Sequence, residues 1–253
     1  MKYPKFLYEL YEKRTARHLP KGSVPRHVGV ILDGNRRWAK SFGEPAAHGH
    51  RRGADKITDF LGWSEELGVE VVTLWMLSTD NLRREPEELE ALFDIIQEAV
   101  RHLAEARRWR LRVVGNLDLL PNKLSLSLRE LQAQTSDVQG IEVNVAIGYG
   151  GRNEIADAVK NLLTECELSG MTLHQAIDKL SVEAIGQHLY TKGQPDPELL
   201  IRTSGEQRLG GFLLWQSAHS EFYFCEAFWP DFRRVDYLRA IRAYAVRERR
   251  LGR

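Results

Sequence analysis

Short apolar runs alternate with helical periods along most of the chain. The apolar runs predict strands over residues 27–32, 71–77, 111–114, 141–147 and 199–201, and longer periodic segments predict helices over residues 57–67, 89–103 and 155–163. A strand followed repeatedly by a helix is typical of parallel strands joined by right-handed crossovers. The pattern therefore predicts an α/β protein with a central, mainly parallel β-sheet.

The predicted strands carry Val, Ile and Leu on both faces. A parallel sheet that is covered by helices on each side has this composition. No internal repeat, low-complexity linker or shift in composition marks a boundary after residue 25. We therefore expect a single domain over residues 25–253, with helices flanking its sheet.

Residues 5–17 have the spacing of an amphipathic helix. Phe6, Leu7, Leu10 and Tyr11 share one helical face, and lysines and arginines surround it. Such a helix can lie on a membrane surface or pack against its own domain, and the short apolar face favours packing. We assign residues 1–24 to an N-terminal amphipathic helix and leave both roles open.

Composition and charge exclude several classes of protein. No run approaches the roughly 18 consecutive apolar residues of a transmembrane helix, and the basic N-terminus lacks the apolar stretch of a signal peptide. We therefore expect a cytoplasmic protein, with membrane association left open. Cys166 and Cys225 form no Cys-x-x-Cys pair, which argues against a zinc site or a disulfide framework.

The formal net charge is only +1, but the charges are unevenly distributed. Residues 1–26 carry seven Lys or Arg against two Glu. This local excess suits an anion site, whereas a pI near 7.8 falls short of the basic balance of a nucleic-acid-binding domain. We therefore expect local anion sites and no nucleic-acid partner.

The first polar cluster, residues 33–39, follows the first predicted strand. Ligands of open α/β sheets bind beyond the carboxyl ends of the strands, so this position favours a binding site. Asp33 offers a hard oxygen ligand to Mg²⁺, Gly34 and Asn35 offer backbone N–H groups, and Arg37 offers charge-assisted hydrogen bonds. The cluster fits a Mg²⁺-diphosphate, although an Asx turn that caps the next helix would have a similar sequence.

Two further clusters lie at the start of the following elements. Residues 49–53, with His50 flanked by glycine and arginine, offer donors near a helix terminus, although a lone histidine is often structural. Residues 78–81 end the strand 71–77 and precede Arg84, so their short polar side chains could cap a helix or approach a reacting group. The acidic residues 85–90 are typical of a solvated first helical turn.

The fourth cluster, residues 202–208, follows the apolar residues 199–201. Arg202 and Arg208 lie on a loop containing Gly and Ser, where two guanidinium groups can bind one diphosphate from both sides. Further along, Glu221 is the only acid within an aromatic run. It is either a metal ligand or a partner in an ion pair, because acids in such settings are rarely left unpaired.

These clusters, taken in order, resemble the cis-prenyltransferase (undecaprenyl diphosphate synthase) family. The resemblance rests on residues 33–39, 49–53, 78–84, 149–152, 202–208, 221 and 250–252, and it covers nearly all of residues 25–253. The P-loop, the dinucleotide fingerprint and the Asp-rich signature of trans-type prenyl synthases are missing. Within the family the chain looks most similar to the actinobacterial short-chain branch that makes Z,E-farnesyl diphosphate.

The resemblance implies a Mg²⁺-dependent condensation of isopentenyl diphosphate with an allylic diphosphate, either geranyl or farnesyl. Asp33 would hold Mg²⁺ with Glu221 as a second metal-site acid, and Asn81 would assist loss of the proton. The substrate-binding set it implies is Gly34, Asn35, Arg36, Arg37, Trp38, His50, Ser78, Thr79, Asp80, Leu82, Arg84, Arg202, Arg208, Leu209, Gly210 and Arg250.

The resemblance also implies a hydrophobic tunnel between the sheet and the helices, and a homodimer in which Arg250 reaches the partner's site.

Met76 and Ile147 stand where long-chain relatives have small residues, so we expect a product of about three isoprene units. The alternative is a long-chain decaprenyl or undecaprenyl product. Ala46, Leu82 and Gly210 depart from the residues that many members carry, which shifts the expected allylic contacts toward Arg37 and His50.

Two other functions use the same residues differently. A phosphate-ester hydrolase could employ Asp33 and the arginines, and it would release inorganic phosphate without any need for isopentenyl diphosphate. An RNA-binding module would employ the basic termini, and its affinity would fall steeply with salt without any need for Asp33.

Overall fold

The computed structural model describes residues 24–248. The predicted N-terminal helix, apart from Val24, and Arg250 lie outside these residues. The strands are β1 (His27–Ile31), β2 (Val71–Ser78), β3 (Arg110–Val114), β4 (Glu142–Tyr149), β5 (Leu199–Arg202) and β6 (Glu221–Phe224). The helices are α1 (Asn35–Ser41), α2 (Ala46–Leu67), α3 (Pro86–Glu105), α4 (Asn122–Gln134), α5 (Gly151–Leu168), α6 (Leu173–Lys179), α7 (Val182–Gly186) and α8 (Arg234–Glu248).

The six strands form one sheet in the order β3-β4-β2-β1-β5-β6, and every neighbouring pair is parallel. The predicted α/β fold with a parallel sheet is therefore confirmed. β2 follows β1 in the chain and pairs with it on one side, whereas β6 follows β5 and pairs with it on the opposite side. The connections after β1 and β5 thus diverge, and a crevice opens at the carboxyl ends of these two strands.

Helices cover both faces of the sheet, because the strand side chains are apolar on both faces. All residues of β1 and β5 are buried. The larger core packs Val28 and Val30 of β1 against α2, α3 and α8, and Phe60, Trp229 and Tyr237 fill its centre. This packing fixes the strand ends that carry the polar clusters.

The sequence pattern missed several elements. The four residues of β6 were noted only as an aromatic run, and α8 has mixed polarity around much of its surface, so neither was predicted. Helix α2 begins at Ala46, ahead of both the periodic segment 57–67 and the polar cluster 49–53 that was placed near its start. No helix among residues 24–248 has the length and hydropathy needed to cross a membrane.

A buried polar network joins three strands on the side of the sheet opposite the crevice. His27 Nδ1 donates to the Pro195 carbonyl (2.7 Å), so His27 Nε2 accepts from the Thr73 hydroxyl (2.8 Å). Asn144 Nδ2 in turn donates to Thr73 Oγ1 (2.8 Å) and to Gln194 Oε1 (2.8 Å). One neutral tautomer of His27 therefore satisfies the network.

We expect the protein to lose stability in acid partly through His27. Burial lowers the pKa of His27 from its usual 6.5 to about 4. Below pH 6.5 the unfolded chain binds the proton more readily, so the free energy of unfolding should fall by about 3 kcal/mol between pH 6.5 and 4. Denaturant unfolding measures the free energy of unfolding at each pH. Between pH 6.5 and 4 this free energy should fall less steeply for His27→Gln than for His174→Gln, since the His174 side chain is exposed. Equal slopes in the two variants would contradict this role.

Candidate active site

A cavity of about 730 Å³ opens at the carboxyl ends of β1, β2 and β5. The predicted site residues at its wall are Asp33, Gly34, Asn35, Arg36, Arg37, His50, Met76, Ser78, Asp80, Asn81, Arg84, Arg202, Arg208 and Gly210. Most of these residues come from the four polar clusters of the sequence, and Met76, Arg84 and Gly210 lie within three residues of a cluster. The parallel sheet brings them together because it places the carboxyl ends of neighbouring strands at one edge.

The turn after β1 is held by backbone geometry and by the neighbouring strand β5. Gly34 has φ 104°, and a Cβ atom there would lie 2.6 Å from the Phe228 ring, so only glycine fits. The Asp33 N–H donates to Thr203 Oγ1 (2.9 Å), and the Thr203 hydroxyl donates to the Asp33 carbonyl (2.6 Å). Thr203 is fully buried, so the two strand ends are fixed to each other.

The Asp33 carboxylate lies between two arginines from different elements. Arg202 Nη2 is 2.7 Å from Asp33 Oδ2, and Arg37 Nη2 is 3.4 Å from Asp33 Oδ1. Burial opposes ionisation of Asp33, but the hydrogen bond and charge of Arg202, with the charge of Arg37, outweigh it and lower the Asp33 pKa. Asp33 is therefore a carboxylate at neutral pH.

The loop after β5 links these arginines to one another. Arg202 is buried, and its Nη1 donates to the Arg208 carbonyl. Arg37 Nη2 donates to Ser204 Oγ (2.7 Å), while Glu206 lies 3.2 Å from Arg37 and 3.3 Å from Arg208. The result is a compact group of guanidinium groups around two acids.

Several buried polar atoms of this region have no partner in the protein. They include Asn35 Oδ1, His50 Nε2 and Arg202 Nε, all from residues that line the cavity. Burial and the charge of Arg84 lower the pKa of His50 to about 4, so its ring is neutral at pH 7. Unsatisfied buried groups are costly, so this wall suits a polar ligand that pairs with them.

The turn after β2 contributes Ser78, Asp80 and Asn81 to the wall. The Asn81 N–H donates to Ser78 Oγ (3.1 Å), which closes the short helical turn Asp80–Arg83. Asn81 therefore faces the same cavity as Asp33.

Six predicted residues lie away from the cavity wall. Trp38 stacks on His48, Thr79 bonds to the Tyr149 carbonyl, and Leu82 and Leu209 pack against the hydrophobic cores. Ile147 is fully buried in the core. The sixth is Glu221.

Glu221 begins β6 at the amino edge of the sheet, in register with Leu199, whereas Asp33 follows the carboxyl end of β1. There it pairs with Arg247 at 2.7 Å. Within one subunit the two acids therefore lie at opposite ends of parallel strands. They do not come together there as ligands of one ion. The sequence left two interpretations of Glu221 open, a metal ligand and a partner in an ion pair. Within its own chain, Glu221 forms the ion pair.

Glu88 was assigned to a solvated helical turn, and this interpretation is wrong. Its side chain is 23% exposed and lies 3.0 Å from Arg84, 3.6 Å from Arg36 and 4.0 Å from His50. The three cationic or basic groups come from three different elements. Sequence spacing could not distinguish Glu88 from its acidic neighbours, because two of its three partners, Arg36 and His50, are remote along the chain.

A buried acid that the sequence did not indicate supports the loop bearing Arg208 and Gly210. Glu154 accepts hydrogen bonds from the Tyr149 hydroxyl and from Gln216 Nε2 (3.0 Å), and burial raises its pKa. The Tyr149 oxygen accepts from the Leu213 N–H (3.2 Å). This chain of bonds anchors the loop to the start of α5.

A smaller cavity of about 30 Å³ adjoins the main one and is mostly apolar. Ala54 and Ile57 of α2, Ile95 and Ile96 of α3, and Trp229 form its far wall. Met76 and Leu92 border both cavities. The site thus has a polar, cationic mouth and an apolar, nearly closed end.

This arrangement defines an enzyme site for a ligand with an oxyanion head and a hydrocarbon body. Comparisons with known proteins agree. The family model described as "Putative undecaprenyl diphosphate synthase" matches residues 31–252. The chain belongs to this family of cis-prenyltransferases, which confirms the assignment made from the sequence.

Relatives with similar sequences come from actinobacteria. The chain is 59% identical to (2Z,6E)-farnesyl diphosphate synthase of Thermobifida fusca over 97% of both chains. It is 56% identical to isoprenyl transferase 1 of Streptomyces avermitilis, over 98% of this chain and 96% of the relative. The structure resembles that of lavandulyl diphosphate synthase from Lavandula x intermedia in complex with dimethylallyl diphosphate. The TM-score is 0.81 and the identity 32%, over 88% of this chain and 96% of the other.

Proposed function

We propose that the protein is a Mg²⁺-dependent synthase that condenses isopentenyl diphosphate with an allylic diphosphate to give (2Z,6E)-farnesyl diphosphate. The observation that carries the proposal is the Asp33 carboxylate between Arg37 and Arg202, at the mouth of a cavity with an apolar end. The names of the relatives in Thermobifida fusca and Streptomyces avermitilis support a prenyl transfer with a short Z product.

The residues at the mouth fit a magnesium ion that arrives with a diphosphate. Among residues 24–248, no three His, Cys, Asp or Glu side chains lie close enough to form a metal site on their own. Mg²⁺ commonly uses one or two carboxylates together with substrate phosphates and water, and Asp33 supplies such a carboxylate. Bound there, the ion would neutralise charge on the departing diphosphate.

The basic groups form two sets on either side of Asp33. Arg36, Arg84 and His50 come from α1, the β2 turn and α2, whereas Arg202 ends β5 and Arg208 lies on the loop that follows it. We assign the first set to the allylic diphosphate and the second to isopentenyl diphosphate. Holding both anions in one cavity would supply the entropic part of the rate gain.

The arginines would stabilise negative charge as the allylic C1–O bond breaks. The electrons of the isopentenyl double bond form the new bond from C4 to C1, and a proton is then lost from C2. Asn81 is positioned by Ser78 in the same cavity, and we assign it a role in orienting the groups that accept this proton.

The apolar end of the site would receive the hydrocarbon chain. A volume of about 30 Å³ holds roughly one water molecule, so a longer chain must separate α2 from α3. Burial of five carbons gains about 4 kcal/mol, whereas overpacking costs about 1–3 kcal/mol, so crowding by Met76 biases product length.

We predict that Met76→Ala lengthens the product by about one or two isoprene units, because it enlarges the junction of the two cavities. Chain-length analysis of labelled products at excess isopentenyl diphosphate measures the effect. Met171→Ala is the matched control, since Met171 lies elsewhere on the surface. Ile147 is in the packed core outside the cavity wall, so we expect Ile147→Ala to add little to Met76→Ala. An unchanged product from Met76→Ala would contradict this assignment.

We further propose that the protein is a homodimer in which Arg250 contributes to the partner's site. The support is the resemblance of residues 250–252 to the family motif. Equilibrium sedimentation measures the assembly. Activity in a mixture of Arg250→Ala and Arg202→Ala chains, above that of either alone, would indicate a shared site.

The experiment that tests the reaction uses the purified protein with Mg²⁺, isopentenyl diphosphate and either geranyl or farnesyl diphosphate. Geranyl diphosphate should be extended by one unit, with one inorganic diphosphate released per bond formed. Hydrolysis to inorganic phosphate without isopentenyl diphosphate would instead favour a phosphate-ester hydrolase. Chains of ten or eleven units would exclude the short product and leave the transfer reaction intact.

A further inference from the structure

Glu88 lies in the first turn of α3, beside the basic groups that we assign to the allylic diphosphate. A single oxygen, Oε1, is 3.0 Å from Arg84 Nη1, 3.6 Å from Arg36 Nε and 4.0 Å from His50 Nε2. All three partners line the cavity. One carboxylate oxygen thus occupies the point where basic groups from α1, α2 and the β2 turn converge.

We propose that Glu88 is an internal competitor of the allylic diphosphate. It neutralises Arg36 and Arg84 while the site is empty, and the diphosphate displaces it on binding. This inference rests on the proposed function, because it assigns these basic groups to a diphosphate.

The geometry favours displacement over a shared site. Only the contact with Arg84 has the length of a hydrogen bond, and the buried His50 Nε2 has no hydrogen-bond partner. A diphosphate has several oxygens and more charge, so it can satisfy these groups more completely. Two negative charges held by the same basic groups repel each other, so the carboxylate and the diphosphate do not occupy this point together.

The competition also links the head of the substrate to the hydrocarbon end of the site. Glu88 ties the start of α3 to α1 through Arg36, and Leu92, one turn further along α3, borders both cavities. When a diphosphate displaces Glu88, α3 loses this tie. When the product's diphosphate leaves, Glu88 returns to the arginines, and this return favours product release.

The test compares Glu88→Gln with Glu87→Gln. Glu87 is exposed in the same helical turn, so its substitution is the matched control for a lost charge. Calorimetric titration with inorganic diphosphate and with dimethylallyl diphosphate should show binding that is on the order of tenfold tighter for Glu88→Gln. Glu87→Gln should bind within about twofold of the wild type, because its charge is screened by solvent.

Steady-state kinetics separates competition from a structural role. For Glu88→Gln, KM for the allylic substrate should fall while KM for isopentenyl diphosphate stays unchanged, because Arg202 and Arg208 lie on another element. A lower kcat should accompany the change if release of the product is slow. Thermal melting shows whether Glu88→Gln is folded. If it is unstable, Glu88→Asp takes its place, and its affinity for the diphosphates should lie between that of the wild type and the roughly tenfold tighter binding expected of Glu88→Gln.

Unchanged or weaker binding of both diphosphates by the folded Glu88→Gln variant would overturn the proposal, because Glu88 would then act only by orienting the arginines. A fall in affinity for Glu88→Asp below that of the wild type would overturn it equally. Failure of the wild-type chain to bind either diphosphate would refute the proposed function itself.

Discussion

Asp33→Ala should reduce turnover by about 10²–10³ at saturating Mg²⁺, the largest effect expected of any single change in the site. Asp33 is the carboxylate held between Arg202 and Arg37 at the point where the two proposed diphosphates meet. Its removal takes away the ligand proposed for Mg²⁺ and leaves Arg202 without its carboxylate partner. Single-turnover measurements with both substrates bound isolate this loss from changes in binding.

Asp55→Ala is the control for Asp33→Ala, because Asp55 is a solvent-exposed acid on α2 that forms a 3.6 Å ion pair with Arg52. Its turnover should match that of the wild type. Thermal melting of Asp33→Ala checks that the fold survives. Retention of more than about a tenth of the wild-type turnover by Asp33→Ala would show that the metal role is wrongly assigned.

Arg202→Gln should raise KM for isopentenyl diphosphate by about 10²-fold. Arg202 is buried, bonds to Asp33 Oδ2 at 2.7 Å and donates to the Arg208 carbonyl, so it shapes the loop on which the proposed ligand would bind. Truncating one member of a buried charge pair typically costs 2–5 kcal/mol of binding, partly because the remaining charge is left unpaired. The KM for the allylic diphosphate should change much less.

Arg234→Gln is a matched control for this change. Arg234 forms an equally short pair of 2.7 Å with Glu66, but it lies on α8 outside the cavity wall. Its loss should leave both Michaelis constants unaltered. Equal increases of both constants in Arg202→Gln would show that the arginine serves the two substrates alike, contrary to the assignment.

The sequence predicted the sheet well because buried parallel strands have a distinctive composition. The strands around Val28, Val72 and Val145 are apolar on both faces, and their bounds agree with the prediction to within two residues. Polar clusters that directly follow such strands must meet at one edge. This is why Asp33, Ser78 and Arg202 could be placed in one site before the structure was considered.

Contacts between remote elements could not be predicted in the same way. Four of residues 85–90 are glutamates, and only the packing of α3 on α2 brings Glu88 to Arg36. Ile147 lies two residues before the end of β4. Packing decides whether a side chain at that position faces the cavity or the core, and the sequence does not reveal this packing. Glu221 lies at the start of a strand whose order in the sheet the sequence did not reveal.

The positive charge of the cavity is partly neutralised by acids of the protein itself. Each arginine in its wall has a carboxylate within 4.0 Å, namely Glu88 for Arg36 and Arg84, Glu206 for Arg37 and Arg208, and Asp33 for Arg37 and Arg202. A chloride ion or the phosphodiester of a nucleic-acid backbone carries no more charge than the carboxylate it would replace. Such anions, though abundant in cells, therefore gain little by entering. A terminal diphosphate carries several charges on adjacent phosphorus atoms, so it gains by displacing the paired acids. The acids therefore select ligands by charge density.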